Sequence, residues 1–226
     1  MEKSITEQLE KLFKKWIENQ NEEVNNKNEN YEGNNYLERY KGGNLRNLDL
    51  RNSFTRDGIV NEDAWIKGEK ILFILKEANI SEQLKDASEG NVIADNGEFW
   101  FQKTIKSNDY NWKKKIFRRL RKIGESWTGN KDFSLESVAY MNINKRGGLS
   151  QAKEDVIDGY FEKYQSLILE EIKIINPSKI AICCGDQGYV GRLDELIKKW
   201  DKSIEIKHYK HPSKRWGTDE EYLKGI

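Results

Sequence analysis

A chain of 226 residues suits one α/β domain with a lead-in segment. Its net charge of +1 means that affinity for nucleic acid has to come from a local basic face, not from the whole surface. The 36% apolar fraction is low, yet seven Trp, ten Tyr and eight Phe supply the bulk of a core, and two cysteines are too few for a four-cysteine iron–sulfur or zinc site.

In chain order, Ile5, Leu9, Leu12, Phe13, Trp16 and Ile17 recur at helical spacing and predict an amphipathic opening helix. Residues 19–35 hold eight asparagines among Glu and Lys, the composition of a polar connector. Residues 1–40 are therefore expected to be a helix plus connector, and 41–226 a single domain. Gly42 to Gly58 reads as irregular. Four strands are expected after it. Ile71-Leu72-Phe73-Ile74-Leu75 is continuous and apolar, as a strand buried on both faces should be. Val138-Ala139-Tyr140-Met141-Asn142-Ile143 is the second, and Ile180-Ala181-Ile182-Cys183-Cys184 the third. Ile204-Glu205-Ile206-Lys207-His208-Tyr209 alternates as an edge strand would. Helical patterns fill 112–126, 150–175 and 187–200.

Strands separated by helices predict a three-layer α/β/α sandwich around a central four-stranded, mainly parallel sheet. Cys183 and Cys184 are neighbours on a strand and point to opposite faces, so two reduced thiols are expected. There is no internal repeat and no glycine-rich phosphate loop. No stretch is long or apolar enough for a membrane span and the N-terminus has no signal-peptide pattern, so a cytoplasmic protein is expected.

In a parallel sheet the strand C-termini share one edge, where open α/β sheets bind ligands. Emerging there are Lys76-Glu77-Ala78-Asn79, then Asn142-Ile143-Asn144-Lys145-Arg146-Gly147-Gly148, then Gly185-Asp186, and last His211-Pro212-Ser213. That last tripeptide spends one of two histidines and one of two prolines in the protein. Proline ends a central strand, so the chain must turn out of the sheet there.

This order of motifs resembles the uracil-DNA glycosylase superfamily, over roughly 70–216. The resemblance implies a four-stranded parallel sheet between helices. It also implies a catalytic residue after the first strand, a base-reading asparagine at the end of the second, and a His-Pro-Ser loop that touches the base and wedges the duplex. Ile74-Leu75-Lys76-Glu77-Ala78-Asn79 takes the first position, Tyr140-Met141-Asn142 the second, and His211-Pro212-Ser213-Lys214-Arg215 the last; only His-Pro-Ser matches literally. The family's Gln-Asp-Pro-Tyr-His loop is absent, Glu77 stands where Asp or Asn is expected, and the phenylalanine that usually follows is missing. The target base is thereby left open between uracil and an enlarged modified base of phage DNA, the latter implying a defence role.

The chemistry fits the residue types. Cleaving an N-glycosidic bond builds positive charge on the sugar and negative charge on the departing base. Glu77 can stabilise the sugar cation and align water. Asn142 can read a base edge, because a carboxamide both donates and accepts. His211 can donate to the leaving base and Ser213 can grip a phosphate. Asn79 and Lys76 flank Glu77 and can serve base or backbone, and Asn144 is a further amide for the substrate. Trp100 and Phe101, within Glu98-Phe99-Trp100-Phe101, can stack on a flipped base, or else form the core of a short helix.

Arg215 stands where the family places its wedge, with Lys214 and Trp216 beside it. Lys145 and Arg146, and Lys113, Lys114, Arg118 and Arg119 on a basic helix, are candidates for phosphates, with a solvated face as the plainer account of that helix. DNA is the expected partner of a monofunctional, monomeric glycosylase that needs no metal or cofactor. Two rival readings remain: a non-catalytic nucleic-acid-binding domain on the same fold, and a small-molecule nucleoside hydrolase.

Overall fold

The computed structural model describes residues 3–25, 50–80, 99–107, 115–148, 153–213 and 217–224. Lys113, Lys114, Lys214 and Arg215 lie outside them, as does the connector from 26 to 49. The described chain forms two compact units. Met1–Arg56, Lys76–Glu98 and Asn142–Glu171 make the first; Asp57–Leu75, Phe99–Met141 and Ile172–Ile226 make the second.

The chain forms a mixed five-stranded sheet flanked by helices. In chain order its strands are β1 (Gly58–Ile59), β2 (Ile71–Asn79), β3 (Val138–Gly148), β4 (Lys179–Ile182) and β5 (Glu205–His208), arranged β1-β3-β2-β4-β5. Of these, β2 from Lys76 and β3 from Asn142 belong to the first unit and the rest to the second. β2 pairs parallel with β4 from Ile71↔Lys179 to Ile74↔Ile182, and β4 parallel with β5 from Lys179↔Glu205 to Ile182↔His208. The expected count of four strands is one short. Gly58 and Ile59, in the stretch read as irregular, pair antiparallel with Tyr140 and Ala139 of β3. A two-residue strand is too short to carry any periodicity, so the sequence pattern could not reveal it.

β2 is buried on both faces, as its unbroken apolar run requires. Ile71, Phe73 and Leu75 join Val138, Tyr140, Ala181 and Cys183 in one core with Phe101 and Ile105 of helix α3 (Trp100–Lys106) and Phe117, Leu120 and Ile123 of helix α4 (Lys115–Thr128). β5 alternates between exposed and half-buried positions, the pattern of the sheet edge where it lies. Two short helices, α2 (Glu62–Lys67) and α7 (Asp219–Leu223), were not evident from periodicity. Each is set by its cap: Asn61 accepts from the Ala64 N–H at 3.2 Å, while Thr218 and Glu221 form a reciprocal capping box.

The first unit is organised by helix α1 (Ile5–Asn25) and by α5 (Glu154–Ile175) up to Glu171. Ser4 and Glu7 cap α1 reciprocally, each backbone N–H donating to the other's side chain at 3.1 Å. α1 is not a separate lead-in. Leu9, Leu12, Phe13 and Trp16 are buried, with the Trp16 ring 6.5 Å from Tyr160 and 6.1 Å from Tyr164 of α5, and 6.2 Å from Phe54.

The helix also runs on through seven residues (19–25) expected to belong to the polar connector. Gln20 and Glu23 continue the buried stripe as polar members with partners. Gln20 Nε2 donates to the Ser53 carbonyl at 3.0 Å and its Oε1 accepts from Tyr160 Oη at 2.7 Å; Glu23 accepts from Tyr164 Oη at 2.5 Å. α6 (Gly188–Trp200), in the second unit, matches the helix expected at 187–200. Among the described residues no helix is long and apolar enough to cross a membrane.

Candidate functional site

Two segments expected to be loops at the strand ends are strand. β2 continues through Lys76, Glu77, Ala78 and Asn79, and β3 continues through Asn144, Lys145, Arg146, Gly147 and Gly148. The extension of β3 has a local cause. Thr55 donates to the Lys145 carbonyl from both its N–H, at 2.6 Å, and its hydroxyl, at 2.9 Å; the Ser53 hydroxyl donates to the carbonyl of Arg146. The Ile80 N–H donates to the Gly148 carbonyl at 3.0 Å, so the carboxyl ends of β2 and β3 lie together in the first unit.

That juxtaposition makes the site. Asn144 Nδ2 donates to Glu77 Oε2 at 2.8 Å. The amide is oriented, because Asn144 Oδ1 accepts from the Arg146 N–H at 3.0 Å and a backbone N–H can only donate. The carboxyl group lies directly over Gly148: a Cβ there would stand 2.6 Å from Oε2 and closer still to Oε1. Burial pushes the Glu77 carboxyl up to about 7, against the smaller opposing pulls of the Asn144 hydrogen bond and the Lys76 charge. A carboxyl group divided between its two protonation states near neutrality is suited to moving a proton. Lys76 is half-buried and Asn79 exposed on either side of it. Asn142, wholly buried on β3, lies in the same unit.

Lys145 and Arg146 do not present charge to a phosphate. Both are fully buried. Lys145 Nζ pairs with Glu171 at 2.8 Å and lies 5.3 Å above the Trp16 ring. Arg146 pairs with Glu23 at 2.8 Å, donates from Nε to the Arg51 carbonyl at 2.5 Å, and sits 5.4 Å and 5.6 Å over the rings of Tyr160 and Tyr164. Charges this deep need both a counter-ion and hydrogen bonds, and both are supplied from α1, α5 and the segment before β1. Asn144 is likewise corrected: its contact is with Glu77, so it serves the carboxylate instead of reading a base.

In the second unit, Phe101 is buried and stacks on Tyr140 with ring centres 4.3 Å apart. Trp100 is half-buried edge-on to both Phe101 and Tyr140, at 5.5 Å and 5.6 Å. Both aromatics therefore form the core of a short helix, not a platform for a flipped base. Arg119 is also fully buried. It donates to Asp219 and to the carbonyls of Pro212 and Gly217, each at 3.2 Å, with its guanidinium 4.3 Å over the Tyr222 ring. It is a clamp, not a phosphate ligand. Arg118 is 40% exposed and meets the same carboxylate at 2.6 Å, with Lys122 at 3.5 Å. These cations hold Asp219 at about 2, and Arg118 contributes most. Arg118, Arg119 and Lys122 of α4 thus meet at this one carboxylate.

Arg119 thus holds the carbonyl of Pro212, between His211 and Ser213. There the Ser213 N–H donates to His211 Nδ1 at 3.3 Å, with Ser213 Oγ 2.7 Å from the same nitrogen. Among the described residues, no group of three or more His, Cys, Asp or Glu could hold a metal ion.

The residues that sequence reasoning missed are Glu23 and Glu171, which neutralise the buried cations, Tyr164, which donates to Glu23, and Gly148 as the floor under Glu77. The spacing Trp16–Gln20–Glu23 carried a signal for the first, since it extends the helical stripe of Leu9, Leu12 and Trp16. Nothing in the sequence singled out Gly148. Neither family models, nor curated proteins, nor solved structures yield a match to this chain.

Proposed function

We propose that this chain is a DNA glycosylase, hydrolysing the N-glycosidic bond of a uracil or of an enlarged modified base of phage DNA, on a glycosylase-type α/β/α fold. The observation that carries this reading is the Glu77 carboxyl group, held on one oxygen at the carboxyl end of β2 and raised to about 7. β2 is also the strand at which the sheet reverses direction: the chain passes from β2 to β3 on one side and then to β4 on the other. The carboxyl end of such a strand is where open α/β sheets bind ligands.

In the reaction, water attacks C1′ of the nucleotide while Glu77, as the carboxylate, takes its proton and offsets the positive charge on the sugar. The bond from C1′ to the base nitrogen breaks, its electron pair leaves with the base, and the products are a free base and an abasic sugar. The part of His211 rests on the resemblance, which assigns it the stabilisation of the leaving base. The half-buried cations Arg118 and Lys122 of α4 support a polyanionic substrate over a free nucleoside.

The test is a panel of oligonucleotides with uracil and enlarged modified pyrimidines, treated with alkali after incubation to cut abasic sites. The expected result is scission at one modification, with Glu77→Gln slower by about 10²-fold or more and DNA binding retained. A Glu77→Gln enzyme that excises at the wild-type rate would remove Glu77 from the mechanism. Binding to DNA without scission anywhere in the panel would favour a non-catalytic domain.

A further inference from the structure

Among the described residues Glu77 takes a hydrogen bond on Oε2 only, from Asn144, and nothing donates to Oε1. The donor is itself anchored. Asn144 is held by the Arg146 N–H, and Arg146 is immobilised by Glu23, the Arg51 carbonyl and two tyrosine rings. Gly148, under the carboxyl group, is fixed by the bond from the Ile80 N–H.

We infer that Asn144 and Gly148 are the positioning residues of Glu77: Asn144 engages Oε2 and so leaves Oε1 as the oxygen that receives the proton, and Gly148 leaves the space in which the carboxyl group lies. The inference rests on reading Glu77 as the reacting carboxylate. Neither residue touches substrate; both act through Glu77. The charges around them make this a sensitive arrangement. On β2 the neighbouring charge is Lys76; on β3 Lys145 and Arg146 are neutralised by Glu171 and Glu23. The proton affinity of Glu77 is therefore a balance between its burial and a single neutral donor, with Lys76 a lesser influence.

Two substitutions should tip that balance in opposite directions. Asn144→Asp keeps an oxygen for the Arg146 N–H but sets a second carboxylate against Oε2, which disfavours ionisation of Glu77. Gly148→Ala puts a methyl group where the carboxyl lies. The backbone there is outside the left-handed region reserved for glycine, so the side chain of Glu77, and not the strand, has to give way. A carboxyl group displaced toward water regains an ordinary acidity.

The experiment is a carbon-13 NMR titration of protein labelled at glutamate carboxyl groups, with the Glu77 signal identified by its loss in Glu77→Gln. The same variants are then assayed for excision against pH on the substrate found in the panel. Asn144→Asp should raise the Glu77 midpoint by about one pH unit or more, and Gly148→Ala should lower it toward the ordinary value of 4.5. The acidic limb of excision should move with each. A midpoint that stays in place in either folded variant, or both moving the same way, overturns the inference. Midpoints that move apart while the excision profile ignores them support the hold on the carboxyl group and refute its catalytic use.

Discussion

Replacing Glu77 by Gln should change the pH dependence of stability in a direction opposite to that of most carboxylates. Gln keeps the oxygen that accepts from Asn144 and removes only the ionisation. In the wild type the carboxyl group titrates near 7 when folded and near 4.5 when unfolded. The folded state therefore binds the proton more tightly, and the stability that proton confers is full below 4.5 and is lost as pH rises through 7. The interval of about 2.5 units corresponds to about 3.4 kcal/mol at 1.36 kcal/mol per unit, of which about 2.5 kcal/mol falls between pH 5 and 8.

The assay is urea unfolding of wild type and Glu77→Gln across that range, followed by tryptophan fluorescence. Only the difference between the two proteins is read, so every other titrating group cancels. Glu77→Gln should gain about 2.5 kcal/mol on the wild type between pH 5 and pH 8. Parallel curves would show that the carboxyl group titrates as in water, and would remove the physical basis for making it a proton acceptor at neutral pH.

Arg146→Met should destabilise the first unit by about 3 kcal/mol or more, because it strands Glu23 in the interior; urea unfolding measures this, and a loss under 1 kcal/mol would mean that water reaches the pair. Arg118→Ala should reduce the slope of log affinity for duplex DNA against log salt by about 0.9, while Arg119→Met lowers the melting temperature and leaves the slope alone; a slope unmoved by Arg118→Ala would place the DNA elsewhere. His211→Ala should slow base release on single-stranded and duplex substrates to the same degree, since leaving-group stabilisation does not depend on the duplex. A loss confined to the duplex would assign His211 to opening the stack instead.

Strand β2 was legible because an unbroken run of five apolar residues, Ile71 to Leu75, has no other stable place than inside a sheet. The opening helix was legible from the repeat of Leu9, Leu12 and Trp16, and Glu77 from its place just beyond that apolar run. What such patterns record is which residues avoid water, and they stop being informative where polar residues are buried by pairing. That is why β3 was expected to end at Ile143: Asn144, Lys145 and Arg146 read as a solvated loop, although each finds its partner far away in the chain. Glu23 lies 123 residues from Arg146, and Glu77 lies 67 from Asn144.

The same limit explains the basic helix, where Arg118 and Arg119 are identical in type and adjacent and both reach Asp219, yet one stays 40% exposed and the other is fully buried against two further carbonyls. Composition and periodicity alone determined the α/β class, the longer helices and the position of a carboxylate at a strand end. Only the tertiary structure decided which cations are spent inside the protein, which amide holds Glu77, and that a glycine had to lie beneath it. Hydrogen bonds and ion pairs are made between partners distant in sequence, and their geometry exists only once the chain has folded.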